Sequence, residues 1–284
     1  MKHSRFVLHC NCAEIGNGQR SSHIKMVAEM FDVPLEDVDI IPSDTLTAPF
    51  TEGQGGSRAT RTNGTAIVNA CLDLRGKMFK IASRLTRQGT NSLVCHNGGI
   101  EPKSKPELWI PYSECVPDPM TTMTGIGRYC EDFGVPNFFC TMIEVEVDTY
   151  TGKAYPVDML GATDCGQIID PNSAELQCQG AIGSASLDTA FFEEHVMDEH
   201  LGRQLTYDMI YYKYRPFNEF FPFNACITES LFDTGVFKAV GFGECAGAAA
   251  ASAALMAISN AIGKEVTTYP ATPDVILRAL GKIE

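Results

Sequence analysis

Apolar and polar residues alternate from Phe6 to Cys12, which predicts a strand. A glycine-flanked turn, Glu14 to Gln19, follows it, and then Ile24, Val27, Ala28 and Phe31 recur at helical spacing up to a stop at Pro34. Val38 to Ile41 reads as a second strand, making a strand–turn–helix–strand unit. A helix from about Asn63 carries an apolar stripe of Ala66, Ile67, Ala70, Cys71 and Leu74. Cys140 to Asp148 alternates with outward acids and returns through Thr149–Lys153 into Ala154–Ala162, a hairpin. Asn172 to Leu187 predicts a helix with Ala174, Gln177 and Ala181 on one side. The last long helix runs from Ala246 to a stop at Gly263, with Leu255, Ile258 and Ile262 facing a core. The tail from Tyr269 to Pro273 ends in a short helix through Leu280. Residues 89–137 carry no clear period, and the aromatic stretch Tyr207–Phe223 reads as a core or interface strap. Together these elements predict an α+β fold of two lobes, 1–135 with a long loop over 89–135, and 136–284.

Composition narrows the picture. The 284 residues are 44% hydrophobic and 20% charged, as in a globular chain with a real core. A net charge of −13 argues against nucleic acid or an anionic membrane as partner. No apolar run approaches the roughly 20 residues of a membrane span. Met1 to Arg5 leads straight into a strand without a signal-peptide core, so a cytoplasmic location is expected. Eleven cysteines without a C-x-x-C pair exclude zinc ribbons and iron–sulfur clusters of that pattern, and suggest buried free thiols. Cys10 and Cys12 are the one close pair, with both thiols expected on one face.

Four stretches carry candidate chemistry. Gly16-Asn17-Gly18 is either a plain tight turn or one whose backbone amides cradle an anion. Gly55-Gly56-Ser57-Arg58-Ala59 sits between a strand and a helix, where anion-binding loops occur, and could otherwise be a flexible linker. Gln177, whose amide both donates and accepts, is a ligand contact or a surface residue. Gly241-Phe242-Gly243-Glu244 puts a carboxylate at a helix mouth, where negative charge is favoured and a base is well placed; an ordinary acidic first turn is the alternative.

In this order the four stretches, with Val145-Glu146-Val147-Asp148 before the hairpin turn and Pro270-Ala271-Thr272-Pro273 near the end, resemble the C-terminal half of the molybdopterin-binding subunit of the xanthine dehydrogenase/aldehyde oxidoreductase family of molybdenum hydroxylases. The resemblance runs from Glu14 to Leu280 and is weakest over 89–137. It implies that Gly16, Asn17, Gly18, Gly55, Gly56, Ser57, Arg58, Ala59, Gln177, Gly241, Phe242 and Gly243 contact the cofactor, and that Glu244 is the catalytic base. No residue is assigned as a direct metal ligand. Asn17 stands where the family has glutamine, and Cys245 where it has proline. The resemblance further implies molybdopterin with molybdenum, in its cytosine dinucleotide form. It also implies a larger molybdopterin-binding subunit carrying the rest of the site, as in the split nicotinate dehydrogenase, and partner subunits holding FAD and [2Fe-2S] clusters. The implied reaction is hydroxylation of an N-heteroaromatic compound (a purine such as xanthine, or a pyridine carboxylate such as nicotinate) with water as oxygen source. Aldehyde oxidation, aryl-CoA reduction and a non-catalytic assembly role are the alternatives.

Overall fold

The structure, a computed structural model, describes residues 5–41, 43–51, 53–116, 118, 121–130, 135–192, 195–230 and 235–284. The expectations touching Met1–Ser4, Pro117 and Pro119 fall outside these residues. The chain divides into two compact units, one of residues 1–135, 166–173 and 231–241, the other of 136–165, 174–230 and 242–284.

In the first unit, β1 (Phe6–His9) pairs in parallel with β2 (Val38–Ile41), with α1 (Gln19–Phe31) as the crossover. The strand ends at His9 rather than Cys12, because Cys10 and Cys12 turn inward. Phe6 stacks on Phe31 at 4.3 Å between ring centroids, and Tyr112 meets both rings edge-on while its hydroxyl donates to the Phe31 carbonyl. The helix stops at Asp32, in the left-handed conformation, because Val33 precedes a proline and is pushed out of helical geometry. A wide π-helical turn, Ala59–Asn63, opens α2 (Gly64–Thr86).

The 89–135 segment, expected as a loop, instead carries β3 (Leu93–His96), β4 (Gly99–Pro102) and β5 (Ile110–Pro111) in an antiparallel sheet. Trp109 locks it by donating to the His96 carbonyl at 2.9 Å, and a Cβ on Gly99 would strike the Trp109 ring and the Ile110 carbonyl. Farther along, Gly125 and Gly127 lie against the Ala70 and Ala66 carbonyls of α2. Asn69 donates to the Arg128 carbonyl, and Asp73 accepts from the Ile126 amide. That cover explains the α2 stripe of Ala66 and Ala70.

The second unit contains β6 (Phe138–Val147) and β7 (Ala154–Asp164), the expected hairpin, with an irregularity at Glu144/Val145. Helix α3 (Pro171–Gly180), whose first residues belong to the first unit, passes through a π-helical turn, Ala181–Ser186, into α4 (Leu187–Phe191). Strand β8 (Phe223–Thr228) lies parallel to β7. The expected long C-terminal helix is two helices, α5 (Gly243–Gly247) and α6 (Ala250–Ile262), with Gly263 as the left-handed stop. Helix α7 (Pro273–Ala279) closes the chain. Met159, Ile182, Leu187, Ala250, Ala254, Ile258 and Ile276 form the core. Gly247 is required where a Cβ would meet the Ser186 hydroxyl and the Ala181 carbonyl.

By length and composition alone the 20-residue stretch Gly243–Ile262 is apolar enough to cross a membrane, but it is divided between α5 and α6. Here Ala246, Ala250, Ala254, Leu255 and Ile258 are buried in the core, with α6 packed on β6. The aromatic stretch is mostly surface: Tyr207, Tyr211 and Phe217 are exposed, the last at 91%. Arg215 is its buried exception.

Candidate functional site

The Gly16–Gly18 turn is built around one carboxylate. Glu14 accepts from the backbone amides of Gly16 (3.0 Å), Gly18 (3.1 Å) and Arg20 (3.2 Å), which satisfies the start of α1. The amides expected to cradle an anion therefore already serve an internal one. Gly18 has φ +67°, and a Cβ there would strike the Ser173 side chain. Three amide side chains cluster beside the turn: Asn17 donates to Gln54 Oε1 at 2.7 Å, while Gln54 and Gln19 both donate to the Ala13 carbonyl. Asn17 Oδ1 and Gln19 Oε1 are buried and accept no hydrogen bond. Beside them opens a cleft of about 420 Å³ lined by Asn11, Ala13, Ile15, Thr51, Gly53 and Gln54.

The second predicted loop meets this group through Gln54. Gly56 and Ser57 both adopt positive φ, at 77° and 55°, a conformation costly for serine. Arg58 Nε donates back to the Gly55 carbonyl at 2.7 Å, and the Thr62 amide to the Arg58 carbonyl, tightening the loop into the π-helical turn. Ala59 is buried, whereas no atom lies within 4 Å of where a Cβ on Gly55 would stand.

Gly241 comes from the far end of the sequence into this unit. A Cβ on it would stand 1.7 Å from the Ser57 carbonyl oxygen, so only glycine allows this approach. Three predicted segments, 16–18, 55–59 and Gly241, thus sit together in the first unit. The others belong to the second: Gln177 is half-buried on α3, Phe242 packs against that unit's core, and Gly243 opens α5. Glu244 is exposed on the first turn of α5. That helix has five residues, so the dipole behind the carboxylate is that of one turn, less than a continuous helix to Gly263 would give. Cys245, in the proline position, donates its thiol to the Phe242 carbonyl at 3.0 Å and so closes the turn.

Sequence reasoning missed Gln19 and Gln54, although Gly53-Gln54-Gly55 is a visible signal. It also missed Asp170, which accepts from the Ser21 hydroxyl and pairs with Lys25 at 3.1 Å. Burial pushes the Asp170 carboxyl upward, but those two partners win and hold it below the ordinary carboxylate value. Among the described residues, Cys10, Cys12 and His23 form the one grouping whose atoms stand close enough to hold a metal. All eleven cysteines are free thiols; six are buried, while Cys130, Cys140 and Cys226 are exposed, contrary to expectation.

A family model for the molybdopterin cofactor-binding domain matches residues 2–220. The chain is 29% identical over 283 residues to the probable hypoxanthine oxidase XdhD of Escherichia coli K12, covering 98% of this chain and 29% of that protein. It is 26% identical over 279 residues to the aldehyde oxidoreductase molybdenum-binding subunit PaoC of the same strain, covering 94% and 36%. It is also 26% identical to the 6-hydroxypseudooxynicotine dehydrogenase complex subunit gamma of Paenarthrobacter nicotinovorans, covering 93% and 34%. Among solved structures, quinoline 2-oxidoreductase from Pseudomonas putida 86 superposes with a TM-score of 0.85 at 24% identity, over 96% of this chain and 36% of that one. The chain spans about a third of the length of the curated relatives it matches.

Proposed function

This chain belongs to the molybdopterin cofactor-binding domain family, and on that premise we propose that it forms one part of the cofactor site of a molybdenum hydroxylase and supplies the catalytic base, Glu244. The observation that carries the reading is the seat of Gly241 on the Ser57 carbonyl. It joins two segments 184 residues apart (241 − 57) in a contact that any side chain would forbid. The residues fit a large polar ligand: Asn17 Oδ1 and Gln19 Oε1 are buried acceptors lacking donors, and Gly55 leaves open space beside its backbone. When bound, molybdopterin supplies a molybdenum centre that exchanges electrons with substrate and delivers oxygen drawn from water.

This chain's residues then do the rest. The amides of Asn17, Gln19 and Gln54 orient the ligand, the 55–59 loop and Gly241 offer backbone at close range, and Gln177 adds an amide that can donate or accept. A Glu244 carboxylate oxygen accepts the proton released as the substrate is hydroxylated. An N-heteroaromatic substrate, the cytosine dinucleotide form of the cofactor, and a cytoplasmic setting that keeps the thiols reduced complete the proposal.

A larger molybdopterin-binding subunit is expected to cover the apolar surface that this chain leaves open, including Phe50 at 89% exposure, Leu46 and Phe217. Subunits with FAD and [2Fe-2S] clusters would carry the electrons away. The test is Gly241→Ala in the co-expressed complex, with Gly180→Ala, where a Cβ meets open space, as control. Molybdenum and pterin content should fall several-fold in the first and stay at the wild-type level in the second. Full content in a folded Gly241→Ala complex would count against the reading.

A further inference from the structure

We propose that Cys10, Cys12 and His23 form a buried binding site for one thiophilic divalent metal ion, for which Zn²⁺ is the probe. The three residues are 8%, 1% and 0% exposed, and the two sulfurs and one ring nitrogen lie within 4.8 Å of one another. The sulfurs are 3.0 Å apart. Two thiolates on a tetrahedral zinc, each at about 2.3 Å, stand roughly 3.8 Å apart, so an opening of under about 1 Å admits the ion.

The histidine decides between a metal site and a mere pair of hydrogen-bonded thiols. His23 Nε2 lies 3.3 Å from the Ala59 carbonyl, which can only accept, so Nε2 carries the proton. The lone pair is then on Nδ1, which is buried and makes no hydrogen bond of good geometry, the Cys10 thiol being close enough to the ring to feel it but not well aligned. An orphan acceptor in a fully buried ring is costly, and a metal ion satisfies it. The surroundings match those of a metal ligand set. The carbonyl on the far nitrogen fixes the tautomer, and Asn63 Nδ2 donates to Cys12 Sγ at 3.0 Å, as to a thiolate. Two thiolates neutralise the charge of a divalent ion, which suits so buried a site, and a water molecule would complete the tetrahedron as fourth ligand. Their protons leave to solvent on binding. The ion would tie the chain entering the 16–18 turn to α1 and, through Asn63 and the Ala59 carbonyl, to the 59–63 turn. This inference stands independently of the proposed reaction.

The test uses the full chain, reduced and stripped of metal, titrated with Zn²⁺ and Co²⁺. One equivalent of Zn²⁺ should bind, and Co²⁺ should give thiolate charge-transfer absorption with tetrahedral ligand-field bands. Both should be lost in Cys12→Ser and in His23→Gln but kept in Cys71→Ser, a buried cysteine outside the trio. Should those variants fail to fold, alkylation mapping of the wild type decides: Zn²⁺ should protect Cys10 and Cys12 selectively. Unchanged binding in a folded Cys12→Ser, protection only at other cysteines, or no stoichiometric binding would overturn the proposal.

Discussion

Glu244→Gln in the assembled enzyme is expected to lower turnover by about 10²–10⁴-fold, the usual contribution of a positioned general base, while molybdenum and pterin content stay at the wild-type level. Glutamine keeps the shape of the side chain and removes its capacity to take a proton. Because Glu244 is exposed on a single helical turn, the exchange leaves the core of its unit untouched, so lost activity cannot be put down to unfolding. Single-turnover reduction of the loaded complex by substrate measures the step itself. A drop of only a few-fold would favour the non-catalytic assembly role.

The second large effect concerns stability. Asp188 and Arg215 are paired at 2.8 Å with side chains 0% and 1% exposed, and the guanidinium lies 4.7 Å from the Phe221 ring centroid. Removing the acid by Asp188→Ala strands a buried cation and should cost about 3–5 kcal/mol of unfolding free energy. Replacing both partners, as Asp188→Leu with Arg215→Met, removes the stranded charge and should cost far less than the single change. Urea unfolding of the full chain followed by far-ultraviolet circular dichroism checks both. Equal losses in the single and double variants would mean that packing, not charge pairing, holds this point of the core.

Much of the fold is legible in the chain because it is encoded locally. The β1–α1–β2 unit follows from one strand run, one helical stripe and the glycines between them. The β6–β7 hairpin follows from strict alternation, and Gly263 from its place at the end of a small-residue helix. The β3–β5 sheet is not legible, since its strands have four, four and two residues and are held by Trp109 and the Gly99 close contact rather than by alternation. The breaks at Ala181 and Ala248 are equally hidden, because alanine favours a helix wherever packing does not intervene.

The loops of the candidate site are visible as glycine-rich stretches, but what they do to one another is not. That Glu14 occupies the amides of the 16–18 turn depends on side-chain direction, and that Gly241 rests on Ser57 depends on tertiary approach. Cys12 and His23 are eleven residues apart (23 − 12) and become neighbours only when α1 packs beside the end of β1.

The most direct measurement is amide hydrogen exchange of the complex, compared with and without its molybdopterin. The account predicts slowed exchange on loading in the peptides containing residues 16–18, 55–59 and 241–244, and unchanged exchange in the sheet of β3 to β5. Equal exchange in those three peptides with and without the cofactor would contradict it.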